Sequence, residues 1–168
     1  DGVGLAEVIG QLQASISALE AENSAQAVLI SELQNSSGGG IEGLDTYLSV
    51  DESTNTVLIS GANLQVVSGA GSTDAAVNGT GNIIIGYDED IGDDKSGSHN
   101  LVVGVYHTYS SYGGIVVGFN NSIIGDYSSV SGGKHSTAEG DYSSVSGGSN
   151  SIASGLGSSV SGGDGNTA

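Results

Sequence analysis

Apolar positions recur along this chain with two periods, seven near the N-terminus and fourteen or fifteen in the C-terminal half. Ile9, Ile16, Asn23 and Ile30 fall every seven residues, and Leu5, Leu12, Leu19, Gln26 and Leu33 form a second column offset from them by three. Assigned as a and d positions, they make heptads whose strict step implies a left-handed supercoil of parallel helices, a rod of roughly 45 Å. An isolated helix would leave that seam in water, so partner chains are expected. Ile at a with Leu at d leans towards a dimer, whereas the small residues at e and g leave room for a third helix. Asn23 and Gln26 place two polar layers in the seam, an arrangement that fixes register at a cost in stability.

In the C-terminal half the recurring unit is GDYSSVSGG followed by a second half-unit such as NSIASG. Val130, Val145 and Val160 are fifteen apart, as are Gly132, Gly147 and Gly162, and Ile123, Ala138 and Ala153. Going towards the N-terminus, Val116 with Gly118 and Val102 with Gly104 come at steps of fourteen, and Ile84 with Gly86 at eighteen. One such unit has too little apolar surface to fold alone, so copies must stack as short strands with tight glycine turns. The inward column is Ile84, Val102, Val116, Val130, Val145 and Val160, opposed by Ile123, Ala138 and Ala153.

Between the two periodic regions, NSSGGG (Asn35 to Gly40) ends the helix. Ile41, Leu44 and Leu48 then resume a helical face for about two turns. Asp51 to Thr56 reads as a turn between strands, with Val57, Ile59, Leu64 and Val66 as candidate buried positions. Gly69 to Gly81 reads as loop or as one irregular rung. The expected organisation is a coiled-coil stalk over 1–35, an adaptor over 36–69 and repeats over 70–168. The final SGGDGNTA reads as the start of another repeat, as in a fragment of a longer fibre.

Composition narrows the function. With 19 acidic and 2 basic side chains the formal charge is −17, the wrong sign for nucleic acid or an anionic membrane surface. No run approaches the roughly 18 apolar residues of a membrane span. The chain has no Cys, which removes disulfides and thiolate chemistry. His99, His107 and His135 have no metal-binding spacing, GxSxG is absent, and no carboxylate pair stands with an aromatic cleft. A non-catalytic protein without a cofactor is expected.

Two clusters are candidates for binding. The acidic run Tyr87 to His99 lies in the longest repeat, and Asp88, Asp90, Asp93 and Asp94 offer the oxygen ligands calcium prefers, although their spacing is not that of an EF-hand. The bland reading is a solvated loop. Tyr106, Tyr109 and Tyr112 offer apolar area with a hydroxyl, suited to surface contact. Alternatively, they cover adjacent rungs or pack across a subunit boundary.

The SSVSGG, NSIASG and HSTAEG units, joined to a heptad stalk, resemble the head repeats of trimeric autotransporter adhesins of the YadA and haemagglutinin type. The resemblance covers roughly Gly81 to the C-terminus. It implies an all-β, left-handed parallel β-roll in each of three chains, with Val130, Val145, Val160, Ala138 and Ala153 lining cores or the trimer contact and the SGG glycines making turns. It also implies a homotrimeric fibre at the cell surface or outside the cell, holding a glycan or protein receptor. The same parts suit a phage or injection-machine tail fibre with a receptor-binding segment, and a purely structural spacer.

Overall fold

The computed structural model of the chain describes residues 4–36 and 43–168, which fall in two units, Asp1–Leu64 and Gln65–Ala168. In the first unit, helix α1 (Leu5–Ser36) runs without interruption. Its Leu, Ala, Glu and Gln content favours helix, and Glu7 stands in the first turn, where the helix dipole favours a negative charge. The heptad positions Leu5, Ile9, Leu12, Ile16, Leu19 and Ile30 are all open to solvent, between 47% and 77% exposed. Asn23 and Gln26 are also exposed, and the side chain of Leu33 lies outside the described residues. An aliphatic seam of this length gains its stabilisation only when another surface covers it.

The two-turn helical face expected at Ile41, Leu44 and Leu48 does not form at its last two positions. Ile41 lies outside the described residues, Leu44–Thr46 is a single 3-10 turn, and Leu48 already belongs to a strand. The physical reason is Gly43, whose φ of 85° no α-helix can contain. Strands β1 (Leu48–Asp51) and β2 (Thr56–Ile59) pair antiparallel from Leu48↔Ile59 to Asp51↔Thr56. The connecting turn closes on Asp51, whose Oδ1 accepts from the Ser53 amide at 2.9 Å and the Ser53 hydroxyl at 2.6 Å. Val57 and Ile59 are exposed, against expectation, because a two-stranded hairpin has no second layer to bury either face. Leu64 and Val66 are exposed as well and lie in no strand.

The second unit is a parallel β-solenoid. One sheet stacks β3 (Ile83–Ile85), β4 (Leu101–Val105), β6 (Ile115–Phe119), β8 (Ser129–Val130), β10 (Ser144–Val145) and β12 (Ser159–Val160) in chain order. A second stacks β5 (Thr108–Tyr109), β7 (Ser122–Ile123), β9 (Thr137–Ala138) and β11 (Ile152–Ala153). A third side is held by single bridges from Phe119 to Lys134, Ser149 and Asp164. Each rung thus pairs in parallel register with the next, for example Val116↔Val130 and Ile123↔Ala138. Gln65 to Asn82 contains no strand but is bonded beneath the first rungs: the Gly79 amide donates to Ser96 O and the Ser68 amide to His99 Nε2.

The interior is one residue thick from each sheet. Val102, Val116, Val130, Val145 and Val160 face Tyr109, Ile123, Ala138 and Ala153, and all are buried. The second column shrinks from Tyr to Ile to Ala along the stack. Ile84, expected in the same core, is 43% exposed: β3 is the first rung, and the second sheet begins only after β4, so no second-sheet strand of that rung stands opposite it. Tyr109, expected at the surface, is a core residue, 2% exposed. It precedes Ile123 by the same fourteen residues that separate Val102 from Val116.

Two columns turn the corners with left-handed backbone. Tyr106, Asn120, His135, Asn150 and Gly165 share φ between 51° and 67°, and His99, Gly113, Tyr127, Tyr142 and Gly157 share φ between 54° and 70°. A third column carries the closest approach between rungs. A Cβ on Gly104 would collide with Gly118 O, one on Gly118 with Gly133 O, one on Gly133 with Gly148 O, and one on Gly148 with Gly163 O. Gly118 therefore stacks on Gly133, not on Gly132. The fifteenth residue of the longer repeat is inserted between Val130 and this column, and Gly132 faces open space.

Adjacent glycines should consequently respond in opposite ways. Gly133→Ala meets backbone and a left-handed φ of 84°, and should cost about 2–4 kcal/mol. Gly132→Ala, with nothing within 4 Å of its Cβ and no left-handed φ, should be neutral or stabilising by up to about 1 kcal/mol. Thermal unfolding of the two variants by circular dichroism checks this.

Candidate functional surface

The long rung that carries the acidic run is closed by its own cation. Lys95 Nζ lies 3.0 Å from Asp88 Oδ1 and donates to the main-chain oxygens of Asp88 and Glu89, the first at 2.5 Å. The other Asp88 oxygen accepts from the Tyr109 hydroxyl at 2.8 Å, joining the loop to the core. The remaining carboxylates serve local turns. Asp90 Oδ1 accepts from the amides of Asp93 and Gly92, which holds its carboxyl below the usual range. Asp94 Oδ1 accepts from Ser96, whose hydrogen bonds lower that carboxyl in the same way. Asp93 Oδ2 faces the Ile91 amide at 3.4 Å.

Asp88, Asp90, Asp93 and Asp94, the four carboxylates offered for calcium, are held apart in this arrangement. Among the described residues no three acidic or imidazole side chains converge on a point. An ammonium already occupies the position beside Asp88, and the other three carboxylates are directed to main-chain N–H groups. A calcium cage needs six or more oxygens aimed at one centre.

The histidines are likewise separate. His107 is buried; its Nδ1 accepts from the Asn121 amide, so Nε2 carries the proton and faces Val103 O at 3.1 Å. His99 Nε2 accepts from Ser68 and its Nδ1 faces Thr73 O. A cavity of about 530 Å³ lies here, bounded by Gln65 to Thr73 and the His99 ring. His135 is exposed and packs edge-on against Phe119.

What the outer surface does repeat is aromatic. Tyr112, Tyr127 and Tyr142 form a ladder along one corner, with ring centroids 5.2 Å apart edge-on and then 5.6 Å apart stacked. Tyr106, Phe119 and His135 form another, with 5.6 Å at both steps. The Tyr112 hydroxyl donates to Asp126 Oδ2 at 3.0 Å, and this bond to a carboxylate pushes its pKa up to about 12. Asp126 also accepts from Ser111 Oγ, and its amide donates to Asp141 Oδ1. Tyr127 and Tyr142 are 42% and 63% exposed; the ladder stops at Gly157, which leaves the far side of the Tyr142 ring without a ring from the next rung. Of the three tyrosines offered either as a contact surface or as covers of adjacent rungs, Tyr106 and Tyr112 are steps in ladders across rungs, and Tyr109 belongs to the core. Tyr127, Tyr142 and Phe119 were not singled out from sequence. The left-handed corners of Tyr127 and Tyr142, and the cross-rung stacking of all three, appear only once the register is known.

Family models, curated proteins and solved structures were compared with the chain, and none matches.

Tyr109 supplies a pH-dependent test of how the acidic loop is fastened. Burial first, and then the bond to the Asp88 carboxylate, raise its pKa above the ordinary phenol value of 10.0. The neutral phenol is favoured by folding, so its stabilisation is complete below pH 10 and is lost as pH climbs towards the folded value. Melting temperature followed from about pH 8 to about pH 11.5 should fall more steeply for wild type than for Tyr109→Phe. At neutral pH the same substitution should cost roughly 1.5–3 kcal/mol, the range for a hydrogen bond to a charged group. Parallel alkaline slopes would show that the loop is not held through this hydroxyl.

Proposed function

We propose that this chain is a segment of a non-catalytic extracellular fibre or adhesin, in which a trimeric coiled coil carries a trimeric β-solenoid that presents a repetitive surface for attachment. The observation that carries this reading is the repetition of outward groups at one-rung intervals, above all the Tyr112–Tyr127–Tyr142 ladder. A stacked solenoid extends by about 4.8 Å per rung and a helix by about 1.5 Å per residue, so both parts generate length. Length with repetition suits many weak contacts made together. The exposed aliphatic seam of α1 supports self-association, because only a matching seam offers the same spacing of apolar side chains.

Attachment partners in this reading are surface glycans or proteins on a host, matrix or cell, and the protein acts at the cell surface or beyond it. The acidic, nearly lysine-free and arginine-free surface favours neutral or cationic contacts over polyanions.

Sedimentation equilibrium of the wild-type chain should give three copies. Leu12→Asp with Leu19→Asp, which places charges in the seam, should give monomers. Wild type should then bind glycan arrays, matrix proteins or whole cells about 10²- to 10⁴-fold more strongly than this variant, the range expected when several weak contacts are linked. A wild-type trimer that binds none of them would leave a structural spacer. A wild-type monomer or dimer would refute the trimer itself.

A further inference from the structure

The two sheets of the solenoid have very different outer faces on the same rungs. In β3, β4 and β6 the residues flanking the inward column are Ile83, Ile85, Leu101, Val103, Ile115 and Val117. Ile83, Ile85 and Ile115 are exposed and the other three half-buried. The second sheet shows Thr108, Ser110, Ser122 and Ile124 at the corresponding outward places. Further along the first sheet the aliphatic face stops, and serine takes both outward positions of each later strand, as at Ser129 and Ser131. A contiguous aliphatic patch confined to one face of a few rungs is not needed for the solenoid's own core, whose interior column is closed from Val102 to Val160.

Charge decides what can cover it. A chain of net charge −17 repels its own copies, so any contact between them has to avoid the acids. In this unit the acids stand in the 88–94 loop and at Asp74, Asp126, Glu139, Asp141 and Asp164, and none falls within a strand of the first sheet. The same chain carries a helical seam that needs copies of itself. Once those copies are joined, a second patch in each chain acts at high effective concentration.

We infer that the outer face of β3, β4 and β6 is where neighbouring copies of this chain meet, an inference that rests on the self-association proposed above. Copies pack dry against one another over the Ile, Leu and Val rungs and are separated by hydrated serine rungs beyond them. The second sheet's Thr- and Ser-bearing face stays open to solvent.

Because the chain has no cysteine, single thiols report this directly. Val103→Cys and, separately, Ile124→Cys are treated with a short bismaleimide at high dilution, and covalent dimers are measured on denaturing gels, alongside sedimentation of each variant. Ile124 is the more exposed position, so simple reactivity favours it. The inference predicts about tenfold or more cross-linking at position 103 than at 124, with both variants sedimenting as wild type. Trimers that cross-link equally at both positions, or only at 124, overturn this face while leaving the trimer in place. A wild-type chain that sediments as a monomer overturns both.

Discussion

The solenoid depends on how closely one rung can lie on the next. At Gly104, Gly118, Gly133, Gly148 and Gly163 successive backbones come so near that no side chain fits between them. That approach sets the parallel ladders in register, and the register in turn places every Val of the inner column over the one before. Because the interior is only one side chain deep from each sheet, no rung has a core of its own. Each is stabilised by the faces of its neighbours, as in other one-dimensional repeats. The left-handed corners come from the same demand for tight turns. Tyr106, Tyr127, His135 and Tyr142 accept a backbone conformation that glycine would adopt at lower cost, and their side chains then stack outside the turn.

Much of this was legible in the spacing of small and apolar residues. The fifteen-residue recurrence of Val130, Val145 and Val160, opposed by Ile123, Ala138 and Ala153, implies stacked parallel strands, and all six side chains are inward. What the spacing could not separate was which glycine of an SGG pair stacks. Both recur at fifteen, and only the step from Gly118 to Gly133 identifies the inserted residue. Tyr109 was misplaced by composition: three tyrosines close together suggest a surface, whereas its fourteen-residue distance to Ile123 puts it inside. Ile84 was misplaced for the opposite reason, since a periodic pattern does not say where a stack begins.

The acidic run illustrates a different limit. Sequence counts carboxylates but not their directions, and here oxygens of Asp88, Asp90 and Asp94 face Lys95, Tyr109 and local amides rather than one another. The adaptor shows a third. Leu44 and Leu48 fit a helical spacing, yet one left-handed glycine at 43 and pairing of Leu48 with Ile59 outweigh it. Heptads, by contrast, are local. The helix Leu5–Ser36 forms where they indicate.

If rungs are interchangeable modules held by register alone, a whole one can be excised. Deleting residues 131–145 rejoins Val130 to Ser146 and reproduces the sequence VSGG with every column moved by one rung. Deleting 131–138 instead removes about half a rung and brings the second-sheet columns over the first. Strand content and unfolding cooperativity, measured by circular dichroism on both full-length deletion variants, test the account most directly. A near-native cooperative transition for the fifteen-residue deletion with collapse of the eight-residue one is predicted. Collapse of both, or survival of both, would contradict it.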